Sequence, residues 1–283
     1  MSKKELSPLP FFLAALSELL ARLLSGNAVS FSAREGIFGA ALVGVGTFLA
    51  LAALSLLDAK PLLAGRGGLF SAFWLLVVLI GLLTAAGSTL VEMLRIYRAQ
   101  FSGGALWLVL LAAGLVLLVP QSGTIERASH AVFVLAVGVG ILIFLGLFGQ
   151  MHWQSLSFAP IQGQGVAAAA MRLACFVPEY FALPIFTRDK RAGRIPAALF
   201  AGEAAVLVGA ELVFGYSGQD GRYPGLELLR AWGLGAFSRL DALVVGLWLL
   251  LALFRLLLIA YLFVRCLRLM RHLGRRGGKS NAA

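Results

Sequence analysis

The chain has 283 residues, of which 60% are hydrophobic and only 13% are charged. An ordinary soluble domain is about 45–50% apolar and about 25% charged, so this composition excludes one. The net charge is +11, but nucleic-acid binding would require a basic face on a water-soluble module. The composition therefore predicts an integral membrane protein without a nucleic-acid partner.

Apolar runs long enough to cross a bilayer, which takes roughly 20 mostly apolar residues, follow one another along the chain. The first, at about 10–31, contains Glu18 and Arg22, whose i,i+4 spacing lets them pair on one helical face. An alternative for this run, a secretory signal peptide, lacks a small-residue cleavage site. The second to eighth runs lie at about 36–57, 70–91, 104–120, 131–149, 166–187, 196–216 and 241–264. We predict an all-α polytopic bundle of about eight membrane-spanning helices, with one membrane domain over 1–270 and a basic tail over 271–283.

Basic residues are distributed unevenly between the two sides of such a bundle. With eight spans, the segments on the side of both termini carry fifteen Lys and Arg residues, and the segments on the other side carry six. Loops rich in Lys and Arg stay in the cytoplasm, so we predict that both termini are cytoplasmic. The basic tail is also expected to contact anionic membrane lipid, at about 1 kcal/mol for each basic residue near the surface.

Residues that carry catalysis or hold metals are few and scattered. Cys175 and Cys266 lie in or at the end of apolar runs, and His130, His152 and His272 lie near the ends of runs. The sequence has no phosphate-binding loop, metal-ligand pair or nucleophile elbow. We therefore predict no enzymatic activity, no metal and no cofactor.

Two runs contain helix-breaking sequences at membrane depth. The first run ends in Ser25-Gly26-Asn27-Ala28, and Gln162-Gly163-Gln164-Gly165 leads into the sixth run, which contains Pro178 beside Glu179. Broken helices in corresponding positions indicate a transporter's binding site, because their ends present unpaired backbone groups to a ligand. The alternative is an ordinary loop and a proline kink that neighbouring helices accommodate.

Charged residues within the runs need a partner or a water-filled face. They are Arg172 and Glu179 in the sixth run, Glu203 and Glu211 in the seventh, and Arg255 in the eighth. A functional role would make one of the glutamates a site for a proton or a substrate ammonium. A structural role would pair the glutamates with Arg172 or Arg255. We expect Glu179, beside the break, to act on a ligand, and the two glutamates of the seventh run to be structural.

Small residues gather at 81–87 in the third run, where they would allow close approach of a neighbouring helix. Thr84 and Ser88 then become possible polar contacts in a cavity. Hydroxyls in such helices more often bond back to the carbonyls of their own helix. Both interpretations of Thr84 and Ser88 stay open from the sequence.

Several short motifs, taken in order, resemble the endospore germination permease family, the B-subunit of nutrient germinant receptors. They are Ala33-Arg34-Glu35-Gly36 before the second run, Asp58-Ala59-Lys60-Pro61, Gly123-Thr124-Ile125-Glu126-Arg127, Leu156-Ser157-Phe158-Ala159-Pro160, Phe176-Val177-Pro178-Glu179, Phe214-Gly215, Tyr223-Pro224, and Phe237-Ser238-Arg239-Leu240-Asp241 followed by Trp248. The resemblance covers nearly the whole chain. Each motif is short and mostly apolar, so the resemblance depends on their order and spacing.

The resemblance implies membership of the amino acid, polyamine and organocation transporter superfamily. Its members have an inverted five-plus-five repeat with a substrate site between the first and sixth helices, which the third and eighth helices help to line. The substrate-binding candidates that it implies here are Ser25, Gly26, Asn27, Thr84, Ser88, Gly163, Gly165, Phe176 and Glu179. Family members usually have ten helices, so eight runs predict a truncated repeat.

The expected function is therefore a membrane subunit, in the cell membrane or the spore inner membrane, that binds a small nutrient such as an amino acid. Binding of the nutrient would be signalled to the A- and C-type receptor subunits. Two alternatives stay open: a degenerate structural subunit that binds no ligand, and an amino acid secondary transporter.

Overall fold

The structure is a computed structural model that describes residues 6–24, 33–56, 69–100, 106–117, 121–148, 151–152, 154, 161–174, 179–187 and 240–280, with isolated positions between 195 and 213. Over these residues the regular structure is helical, and none of them forms a strand. The prediction of an all-α protein is confirmed for this part of the chain.

Eight helices have bounds within the described residues. They are α1 (Leu9–Leu24), α2 (Ala33–Leu56), α3 (Leu69–Gln100), α4 (Leu106–Leu117), α5 (Ser122–Phe148), α6 (Gly163–Ala174), α7 (Glu179–Phe186) and α8 (Leu240–Ser280). Both α6 and α7 fall largely within the sixth apolar run, and the seventh run is described only at isolated helical positions. The number of helices is therefore not a count of membrane spans.

Three of these helices are long and apolar enough to cross a membrane. The qualifying segments are Phe70–Arg98 in α3, Ser122–Leu147 in α5 and Ala242–Leu273 in α8. Three of the predicted spans thus coincide with helices that could cross a membrane by length and composition, which indicates a membrane protein. The other predicted spans, and the transporter-like repeat, stay predictions.

Three helices are short over the residues that the structure describes, and the predicted breaks in the first and sixth runs stay predictions. Helix α1 has 16 residues, α6 has 12 and α7 has 8, whereas a helix needs about 20 residues to cross the hydrocarbon core. Helix α6 begins at Gly163 and α7 begins at Glu179. The break near Gly26 and the chain between α6 and α7, which contains Pro178, lie outside the described residues.

Helix α8 is the centre of the bundle. It packs against α1, α3, α4 and α5, and 61% of the residues in its most apolar segment are buried, against 33% in α3 and 17% in α5. Its fully buried side chains include Trp248, whose Nε1 donates a hydrogen bond to the carbonyl oxygen of Ser17 at 3.1 Å. Helices α3 and α5 therefore form the outer surface around α8.

The outer surface of α3 and α5 is apolar. Its largest exposed side chains include Phe73 and Ile80 on α3 and Val134, Ile141 and Leu145 on α5. On a soluble protein such a continuous surface would promote association. On helices of this length and composition, exposed apolar side chains suit contact with lipid.

Helices α2 and α6 form a closely packed pair. A Cβ added to Gly39 of α2 would lie 2.6 Å from the Cβ of Ala169 and 2.7 Å from the backbone nitrogen of Ala170. The two helix backbones can approach this closely only because small residues face each other. The close approach predicted for the third run is not seen at Gly87, where an added Cβ would meet nothing within 4 Å.

The segment before α1 is fixed to two other helices. The backbone nitrogen of Ser7 donates to Oε1 of Glu126 at 2.7 Å, and the nitrogen of Leu6 donates to the carbonyl oxygen of Phe186 at 3.1 Å. Glu126 belongs to one of the motifs that carry the family resemblance. In the structure it lies in the first turns of α5 and binds the start of the chain's first helical region.

We predict that Gly39→Ala destabilises the protein, because the added methyl group overlaps α6 and overpacking typically costs about 1–3 kcal/mol. The measurement is thermal unfolding of the detergent-purified protein. Gly46→Ala is the matched control on the same helix, since a Cβ there meets nothing within 4 Å. Equal unfolding temperatures for the two variants would contradict the packing described for α2 and α6.

Candidate functional site

Three charged side chains from three helices meet inside the bundle. Glu18 comes from α1, Glu179 is the first residue of α7, and Arg255 lies in the middle of α8. Their exposed fractions are 5%, 0% and 1%. We call these three residues the charge cluster.

The guanidinium of Arg255 binds both carboxylates. Its Nε lies 2.6 Å from Oε1 of Glu179 and its Nη2 lies 3.3 Å from Oε2 of the same residue. Its Nη1 donates to Oε2 of Glu18. The contact with Glu179 uses two parallel N–H groups, which is the geometry that makes an arginine–carboxylate pair both strong and directional.

The composition of α8 explains why Arg255 needs carboxylate partners inside the bundle. Arg255 is the only charged residue between positions 242 and 264. Removing a charge from water costs several kcal/mol per ion, and only good geometry with further hydrogen bonds offsets this cost. The two carboxylates supply both, so the sequence expectation that Arg255 needs a carboxylate or carbonyl partner is confirmed.

Glu179 was predicted to act on a ligand. The alternative was that it pairs with Arg172 or Arg255. The structure shows the pairing with Arg255 and engages both carboxylate oxygens of Glu179. A ligand can reach Glu179 in this arrangement only by displacing the guanidinium. The charge cluster therefore does not present an open carboxylate.

Thr84 and Ser88 bond within their own helix. The hydroxyl of Thr84 donates to the carbonyl oxygen of Ile80 at 2.9 Å and lies on the exposed side of α3. The hydroxyl of Ser88 donates to the carbonyl oxygen of Ala85 at 3.0 Å and is half-buried. These bonds are the alternative that the sequence left open for both residues.

Gly163 and Gly165 lie at the start of α6. Gly163 is exposed, whereas Gly165 packs directly against the carboxylate of Glu35 from α2. Oε1 of Glu35 accepts a hydrogen bond from the backbone nitrogen of Gln162 at 2.8 Å. A carboxylate at this end of a helix is stabilised by the helix dipole. The backbone N–H groups at the start of α6 were predicted to meet a ligand. One of them, at Gln162, instead donates to Glu35 of α2.

Several candidate residues fall outside the described residues. They are Ser25, Gly26, Asn27 and Phe176, together with Glu203 and Glu211 of the seventh run. Arg172 belongs to α6, but its side chain is also outside the description. Their predicted roles stay predictions.

The sequence did not predict the contacts of two glutamates, Glu18 and Glu35. Glu18 was predicted to pair with Arg22, whose side chain lies outside the described residues, and the structure shows that Glu18 contacts Arg255, 237 positions away. Glu35 was noted only as part of a short motif before the second run. Arg255 itself could have indicated Glu18, since a lone arginine in an apolar helix needs a carboxylate or carbonyl partner.

The described residues contain no group of three or more His, Cys, Asp or Glu side chains arranged to hold a metal ion. Comparison with known proteins gives no match to a family model, to a curated protein or to a solved structure. The fold and the site together define an α-helical membrane protein with a buried cluster of one arginine and two glutamates.

We predict that Arg255→Met lowers stability strongly, by about 3–5 kcal/mol, because it leaves two carboxylates buried without their cation. Protein level in membranes and thermal unfolding in detergent measure the effect. The control is Arg127→Met, at an exposed arginine of α5, which should change stability by less than about 0.5 kcal/mol. A stable Arg255→Met protein would argue against the charge cluster.

Proposed function

We propose that the protein is a germination permease-like membrane subunit that binds a small nutrient, such as an amino acid, and signals to partner receptor subunits. The observation that carries the proposal is the meeting of α1, α7 and α8 at the charge cluster. These helices come from the first, sixth and eighth apolar runs. The family resemblance implies that these same runs line a substrate site.

The chemistry of the cluster suits a zwitterion. The carboxylate of an amino acid would replace Glu179 or Glu18 on the guanidinium of Arg255, and its ammonium would bind the carboxylate that is released. Each charge then keeps a partner of opposite sign, which buried charges require. A neutral ligand offers no such exchange.

Binding of this kind would also move helices. In the closed cluster, Arg255 fixes α1 and α7 to α8. A ligand inserted between the guanidinium and a carboxylate would weaken one of these ties and favour a different arrangement of the short helices. Its differential affinity for the two arrangements sets how far the population shifts, and partner subunits of the A and C types would detect the change.

A second candidate function is a structural subunit that binds no ligand. The observation in its favour is that both oxygens of Glu179 are already bound by Arg255 and that the carboxylate is fully buried. Under this alternative the cluster only holds the bundle together.

The deciding experiment replaces the whole cluster with uncharged side chains, Glu18→Gln, Glu179→Gln and Arg255→Met together. Replacing a buried ion pair in full is often neutral for stability, whereas removing one partner is not. We therefore expect a near-normal level of the triple variant in membranes. Amino-acid-triggered germination should be lost if the cluster binds the ligand, and a normal response would support the structural subunit.

The single variant Glu179→Gln serves as the internal comparison. It leaves Arg255 with one carboxylate, so we expect its level to fall together with its response. Germination triggered by a route that needs no nutrient receptor controls for the health of the spores. If the cluster binds the ligand, the triple variant should keep a near-normal protein level and lose the germination response.

A further inference from the structure

The end of α8 has two chemically different faces. A helix turns about 100° per residue, so positions 268, 271, 275 and 279 fall within an arc of about 80°. These positions hold Arg268, Arg271, Arg275 and Lys279. We call these four residues the basic stripe.

Over positions 266–273 the opposite face of α8 is apolar and packs on the bundle. Cys266 is fully buried, and Leu269, Met270 and Leu273 are partly buried against the hydrophobic core. Arg268 and Arg271, on the other side, are exposed. Packing of the apolar face therefore directs this part of the basic stripe away from the bundle.

No carboxylate side chain follows Asp241 in the sequence, so α8 offers the basic stripe no acidic partner of its own beyond that position. The end of α3 is a useful contrast. There Arg95 and Arg98 are also exposed and three residues apart, but Glu92 lies one turn earlier on the same helix. The two helix ends carry similar arginine pairs in different electrostatic surroundings.

The stripe begins at the edge of the membrane-spanning segment. That segment of α8 ends at Leu273, so Arg268 and Arg271 lie in its last two turns. One turn before them, Nε of Arg265 donates to the hydroxyl of Tyr261 at 3.0 Å and its guanidinium lies 5.4 Å from the ring centre. Tyrosine is enriched at the boundary between membrane and water.

We propose that the basic stripe binds the headgroup phosphates of anionic phospholipids. Arg268 and Arg271 are about 4.5 Å apart along the helix axis, and the headgroup layer of one leaflet is about 5–8 Å thick. Both guanidinium groups therefore reach the same layer. A lipid is the fitting partner because the stripe continues the surface of a membrane-spanning helix, at the depth where lipid phosphates lie.

The test uses the full chain purified in mild detergent and titrated with phosphatidylglycerol or phosphatidylcholine of equal acyl chains. Mass spectrometry of the intact complexes measures bound lipid. We expect the wild type to prefer phosphatidylglycerol. Arg268→Gln with Arg271→Gln should weaken phosphatidylglycerol binding about 30-fold, since two basic residues contribute about 2 kcal/mol near an anionic surface. Binding of phosphatidylcholine should not change.

Two further variants make the result specific. Arg268→Lys with Arg271→Lys keeps the charge and should keep the preference. Arg95→Gln with Arg98→Gln removes the same charge from α3 and should also keep it. The thermal unfolding of each variant without added lipid shows whether it is folded.

Three outcomes would overturn the proposal. The first is unchanged phosphatidylglycerol binding in a folded Arg268→Gln and Arg271→Gln protein. The second is an equal loss in the Arg95→Gln and Arg98→Gln protein, which would reduce the effect to net charge. The third is unchanged lipid binding with loss of an acidic protein that co-purifies with the wild type, which would make the basic stripe a protein-docking surface.

Discussion

The structure depends on one requirement, which is that the guanidinium of Arg255 finds negative partners inside an apolar bundle. Arg255 and Trp248 are seven residues apart and therefore share a face of α8. Trp248 binds the carbonyl oxygen of Ser17 and Arg255 binds the carboxylate of Glu18, so this face fixes α1. Through Glu179 the same arginine fixes α7. Two shorter helices are in this way attached to the long central helix.

Sequence rules predicted the parts of this arrangement that concern single helices. The apolar length of α3, α5 and α8 marks them as spans, and a lone arginine in the eighth run demands a carboxylate. The rules failed where the partner lies on another helix. The i,i+4 rule offers Glu18 only Arg22, because spacing along one helix carries no information about which helix packs beside it. Glu35 was overlooked for the same reason, since its contacts with Gln162 and Gly165 join α2 to α6.

Helix ends also differ from the apolar runs, for a physical reason. Helix α5 begins at Ser122, well before the run at 131, and α3 continues past 91 to Gln100. Hydropathy marks the residues that suit hydrocarbon, whereas the backbone hydrogen bonds of a helix continue into the headgroup layer. Near the start of α5, Glu126 binds the nitrogen of Ser7. Near the end of α3, the exposed Arg95 and Arg98 have apolar stems along which their charged groups can extend to water. Composition alone would assign these polar helix ends to loops, although the structure shows them to be helical.

If the charge cluster binds the proposed ligand, its closed form also sets which ligands can compete for it. If opening the cluster costs about 4 kcal/mol, as breaking buried pairs commonly does, the apparent affinity of a ligand falls about a thousandfold. A ligand with a single charge recovers only part of this cost, because it pairs with one side of the cluster and leaves the other unmatched. A zwitterion restores a partner to both the guanidinium of Arg255 and the released carboxylate. Selection for amino acids over amines or simple acids would therefore follow from charge pairing alone, before any side-chain pocket contributes.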